Sequence, residues 1–133
     1  MWQIIQNLLL KVVPKLTRRV YIQVSYNKLQ AKDIDTGKYF HIVANPEFSH
    51  PRTIMGNFTN AEQCLISLLK QIRKGSFYLA TRLLIHPIEK VEGGLTQIEE
   101  RALIEFGYGA GASKVVVWIG EELNNRQIAK KLD

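Results

Sequence analysis

The sequence predicts an α/β domain built on one mixed five-stranded sheet with flanking helices, and three observations predict it. Residues 19–44 hold three short runs of alternating or apolar character separated by tight-turn residues, the pattern of an antiparallel meander. Residues 59–132 then alternate helical patterns with two continuous apolar runs, as expected of strands covered on both faces. The chain has 133 residues, 46% apolar and 23% charged, enough to close one core but not two.

The elements follow in order. In MWQIIQNLLLKVVPKL, residues 1–16, the residues Trp2, Ile5, Leu8, Leu9, Val12, Val13 and Leu16 recur at helical spacing, with Gln3, Gln6, Asn7, Lys11 and Lys15 mostly opposite. Pro14 ends or kinks this amphipathic helix. No basic region precedes the apolar run and no small-residue cleavage site follows, so the segment reads as retained rather than as a signal peptide. We divide the chain into this helix, 1–17, and a single domain, 18–133.

RVYIQVSY, 19–26, alternates Val20, Ile22 and Val24 with Tyr21, Gln23 and Ser25, the period of a half-buried strand. Asn27-Lys28 turns the chain into LQAKDI, 29–34, and Asp35-Thr36-Gly37-Lys38 turns it again into YFHIVA, 39–44. Residues 45–58 carry two prolines and read as a loop. Thr59-Asn60-Ala61-Glu62 has the form of a capping box and opens a helix to about Lys74, with Cys64, Leu65, Leu68, Leu69 and Ile72 inward and Gly75 as its stop. TRLLIHP, 81–87, is a buried strand centred on Leu84. Thr96-Gln97-Ile98-Glu99 is a second capping box, whose helix buries Ile98, Leu103, Ala102 and Phe106 and ends in GYGAGA. KVVVWIG, 114–120, is a second buried strand containing Val116. EELNNRQIAKKL, 121–132, is a closing helix with Glu first and Lys last, as the helix dipole favours.

Composition excludes whole classes. Glycine (9) and proline (4) are too few for a disordered or collagen-like chain. No apolar run reaches the roughly 18 residues of a spanning helix. A lone cysteine, Cys64, suits a reducing compartment, so a cytoplasmic location is expected, peripheral to the membrane's inner face if residues 1–16 bind it. The net charge of +6 is uneven: residues 1–38 hold seven basic and two acidic side chains, and the first acid is Asp33. Charge gathered at one end points to a local contact with phosphates, headgroups or an acidic partner.

Residues 82–118 place a strand ending at Pro87 before a helix opened by Thr96 and carrying Glu99, Glu100, Arg101 and Ala102. Gly109-Ala110-Gly111-Ala112, Lys114 and an apolar strand, Val115–Trp118, follow. This segment resembles the first domain of MreB, the bacterial actin of the rod-shape-determining family, and more loosely so do Pro51-Arg52, Gly56 and the helix 60–74. The resemblance covers most of residues 20–120 and implies a ribonuclease-H-like fold, the actin-like ATPase half-domain, in the order βββαβαβα after the first helix. It also implies a departure. The family binds phosphate on an Asp-x-Gly-Thr hairpin, and aligning residues 22–29 there puts Gln23 at the Asp and Ser25 at the Gly. An amide cannot replace a carboxylate beside Mg²⁺, and a serine side chain obstructs close approach to phosphate. The family's adenosine pocket belongs to a second domain that these residues do not carry. The expectation is therefore a non-catalytic domain with no cofactor, no metal and no catalytic residues. It would act by contact with an actin-like filament, a morphogenesis protein or the membrane. MreB proteins also carry an amphipathic membrane segment at this end. The candidate contact residues are Trp2, Ile5, Leu9, Lys11, Val12, Lys15, Arg18 and Arg19.

Other constellations have plainer readings. His41, His50 and His86 lack ligand-like spacing, and the glycines at 107, 109 and 111 follow a helix rather than open one, unlike a phosphate loop. Tyr21, Tyr26 and Tyr39 interleave with Arg18, Arg19, Lys28, Lys32 and Lys38, which leaves a nucleic-acid-binding module as an alternative. A metal-dependent hydrolase on the same sheet is a second, but the early strands supply only Asp33 and Asp35.

Overall fold

The computed structural model describes residues 2–6, 16–74 and 78–133. Residues 2–6 are helical. Then come β1 (Thr17–Ser25), β2 (Lys28–Asp33), β3 (Lys38–Val43), α1 (Phe58–Arg73), β4 (Ala80–Pro87), α2 (Gln97–Gly109), β5 (Lys114–Val117) and α3 (Asn125–Leu132). The strands form one sheet in the order β3-β2-β1-β4-β5. The meander β1-β2-β3 is antiparallel, and β1·β4 and β4·β5 are parallel. The element order and the mixed sheet match the expected α/β architecture.

The two faces of the sheet are covered unequally. Val20, Ile22 and Val24 of β1, Leu29 and Ala31 of β2, and Leu83 and Ile85 of β4 pack under α1 and α2, with Leu65, Leu68, Leu103 and Phe106 opposite them. Gly107 lets α2 settle on β5, because a Cβ there would lie 2.6 Å from Val115 Cγ2. Among the described residues the other face is covered by α3 and the loop before it, where Ile128 and Leu132, with Trp118 and Leu123 beside them, bury Tyr21 and Leu84. Tyr21 is thus buried where strand alternation alone predicts a solvent side.

Several expected boundaries shift for local reasons. The first hairpin turns on Tyr26-Asn27, since Asn27 takes the left-handed conformation (φ 54°) that asparagine tolerates. The Thr59 capping box does not form. Asn57 caps α1 instead, accepting from the Asn60 N–H, which brings Phe58 into the helix and against the core. Residue 75 lies outside the described residues. The Thr96–Glu99 box forms as expected, but Ile98 is 81% exposed, because it precedes Leu103 by five residues and so lies on another side of a helix of about 3.6 residues per turn. β5 is an edge strand of four half-buried residues, and Val116 is half-buried rather than enclosed. After Val117 the chain leaves the sheet to place the Gly120 carbonyl on His86. Glu121 and Glu122 precede α3, which begins at Asn125 because Asn124 and Gln127 cap each other.

Candidate functional site

Three features carry polar chemistry: the first hairpin tip, a buried hydrogen-bond relay, and the half of the sheet that α3 leaves open. At the tip, Asn27 is engaged through its backbone and its side-chain oxygen. Its side-chain oxygen accepts from the N–H groups of Phe48 (2.9 Å) and Ser49 (2.7 Å). Its own N–H donates to Ser49 Oγ, and its carbonyl accepts from the Ala44 N–H. Gln23 and Ser25, the residues at the phosphate-loop positions of the resemblance, lie in β1, where Ser25 is buried and its hydroxyl donates to the Lys28 carbonyl.

The relay joins strands 65 residues apart in sequence. His86 Nε2 lies 2.9 Å from the Gly120 carbonyl, which can only accept, so Nε2 carries the hydrogen. Nδ1 of the neutral ring then accepts from the Tyr21 hydroxyl, whose oxygen accepts from Gln23 Nε2 at 3.2 Å. Burial supports this assignment, raising the Tyr21 pKa and lowering that of His86. Burial likewise raises the Cys64 thiol.

Beside the relay, the open half of the sheet forms a groove of about 270 Å³ lined by Gln23, Gln30, Lys32, Tyr39, His41 and Glu122, among others. Lys32 Nζ lies 5.3 Å from the centre of the Tyr39 ring. Among the described residues no three His, Cys, Asp or Glu side chains could hold a metal.

The structure divides the expected contact residues. Trp2 and Ile5 are exposed on the helical residues 2–6. Leu9, Lys11, Val12 and Lys15 lie outside the described residues. Arg18 and Arg19 belong to β1 rather than to the terminal segment. Arg19 Nη2 meets Asp35 at 2.7 Å, and its pKa is raised chiefly by that bond. Arg18 lies over Tyr78 and 3.9 Å from Asp33. Asp33 also accepts from the N–H groups of Asp35 and Thr36, so its carboxylate braces the Asp35-Thr36-Gly37 turn. The aromatic and basic residues of the meander are likewise dispersed: Tyr21 is buried, Tyr26 meets Lys90, and Lys38 and Lys32 lie on opposite faces. His41 and His50 are exposed, and His86 is buried. Sequence reasoning missed the relay, because spacing carries no signal for it beyond the place of His86 at a strand end. No helix among the described residues is long and apolar enough to cross a membrane.

No family model matches the chain. Its sequence is 33% identical over 101 residues to the uncharacterized protein YjaA of Escherichia coli (strain K12), a match covering 71% of this chain and 78% of that protein. Among solved structures, the ethanolamine utilization protein EutJ from Carboxydothermus hydrogenoformans superposes with a TM-score of 0.56 at 12% identity over 86% of this chain. The chain spans 43% of EutJ, less than half its length. At that identity the likeness establishes the fold alone, which is the ribonuclease-H-like sheet of the actin-like ATPases.

Proposed function

The chain belongs to the family of the Escherichia coli protein YjaA, and on that premise we propose that it is a non-catalytic actin-like domain that works by contact. The observation that carries this reading is the hairpin tip. A phosphate-binding hairpin offers open backbone N–H groups and close approach. Here the Asn27 backbone and side-chain oxygen are taken up by Ala44, Phe48 and Ser49, and Gln23 supplies no carboxylate for a metal-bound water. The finer reading, an accessory partner of a rod-shape-determining filament, rests on the MreB-like residues 82–118. Peripheral membrane contact through residues 1–16 completes it. Trp2, Ile4 and Ile5 are exposed. Trp favours the headgroup boundary, and each basic residue near an anionic surface adds about 1 kcal/mol.

One experiment with two arms tests the reading. Titrating the protein with Mg-ATP in a calorimeter should give no heat of binding, and a micromolar dissociation constant overturns the non-catalytic assignment. Intact protein should co-sediment with anionic but not neutral vesicles, while residues 17–133 stay in solution and melt as the intact chain does. Intact protein that ignores anionic vesicles removes the membrane contact from the proposal.

A further inference from the structure

The outer edge of β3 presents a regular row of backbone groups. The hydrogen-bond phase of the meander follows from its ends: the Ala44 N–H donates to the Asn27 carbonyl (2.8 Å), and the Ile34 N–H to the Arg19 carbonyl (3.1 Å). In an antiparallel ladder, hydrogen-bonded pairs alternate with non-bonded ones. Ile42, Phe40 and Lys38 therefore turn their backbone groups inward to Leu29, Ala31 and Asp33. Tyr39, His41 and Val43 turn theirs outward, and β3 has no neighbour on that side among the described residues. The edge carries none of the usual protections. It is six residues long, its register with β2 runs without a bulge, it has no proline, and its one charge, Lys38, sits at its end. Tyr39 and Val43 are 74% and 66% exposed.

We propose that β3 pairs antiparallel with β3 of a second copy of this chain, about a two-fold axis normal to the sheet at His41, giving one ten-stranded sheet. The three outward residues are symmetric about His41, so this register forms every bond the edge can offer: Tyr39 of one copy with Val43 of the other, His41 with His41, and Val43 with Tyr39. Tyr39 against Val43 is an aromatic against a β-branched side chain, a favourable cross-strand pair. On the other face Phe40 meets Ile42 of the other copy, covering two residues at the rim of the core. No charged residue faces another within the paired span, which suits two molecules that each carry +6. A six-residue strand pair buries less than the roughly 800 Å² per partner of a standard interface, so the dimer is weak and depends on concentration. The axis passes beside the groove, whose wall His41 forms, and joins it to its twin.

Sedimentation of the intact chain over a concentration series tests this at low and high salt. A monomer–dimer equilibrium that strengthens with salt is expected, because salt screens the repulsion between like-charged copies. His41→Glu sets two carboxylates face to face, and His41→Pro deletes an outward N–H that β2 does not use. Both variants should remain monomeric with an unchanged melting temperature. His41→Cys should give an oxidant-dependent covalent dimer, since directly paired residues lie within disulfide reach and the native Cys64 is buried. A monomer at every concentration, a dimer that salt dissolves, or a dimer indifferent to His41→Glu overturns the proposal.

Discussion

Asn27 combines a left-handed backbone with a side-chain oxygen that two N–H groups share, so its replacements separate the two roles. Asn27→Ala loses both acceptor bonds at a buried loop and strains the turn, and should cost about 2–4 kcal/mol. Asn27→Gly relieves the backbone alone and should recover about 1 kcal/mol of that loss, while Asn27→Asp keeps the acceptor and should stay within about 1 kcal/mol of the parent. Urea midpoints measure all three, and an alanine variant as stable as the parent removes the anchor from the account. His86 adds a pH dependence. Burial holds its folded pKa below the unfolded value of about 6.5, so the unfolded chain takes up a proton that the folded chain refuses. Its contribution is therefore complete above about pH 6.5 and is lost as the pH falls toward the lower folded value. His86→Asn should be less stable at pH 7 and show a flatter stability profile between pH 7 and 5. A profile as steep as the parent's assigns the acid sensitivity to other groups. Asn27 was legible in the sequence only as a turn residue, and its partners at 48 and 49 were not, because a loop's return path leaves no periodic trace.

At the scale of elements, burial separates two strands that look alike in sequence. Leu84 lies in the fully covered β4, whereas Val116 lies in the four-residue edge strand β5. Leu84→Ala should cost about 2–5 kcal/mol, and Val116→Ala nearer 1 kcal/mol because its side chain is already half in water. Equal shifts in urea midpoint would place the two strands alike and contradict the strand order. Both read as continuous apolar runs, and nothing in KVVVWIG says that the sheet stops beside it. Capping residues are local and therefore easier to read: Thr96 and Glu99 announce α2 within four positions. They fail where two candidates compete. Asn57 and Thr59 both suit an N-cap, and the choice between them is made by Phe58, whose packing against the core is a tertiary fact.

For the whole molecule, the order of elements and the mixed sheet were legible, because hydrophobic period and turn chemistry are properties of short windows. The unequal covering of the two faces was not, since it depends on where the eight-residue α3 comes to rest. The central position of β1 has a further consequence, for the time course of folding. Its antiparallel neighbour β2 is joined to it by a two-residue turn, but its parallel neighbour β4 begins only at Ala80, after residues 26–79 have been looped out. Closing such a loop costs on the order of 3–4 kcal/mol of chain entropy before any contact between β1 and β4 offsets it. The meander is thus the natural early structure, and the docking of β4 is the slow step. During synthesis β1 leaves the ribosome before β4 and waits with one side unpaired until Pro87 has emerged. For that interval the nascent chain exposes the backbone edge of Val20, Ile22 and Val24, and a chaperone that shields this edge protects the molecule at its most aggregation-prone stage.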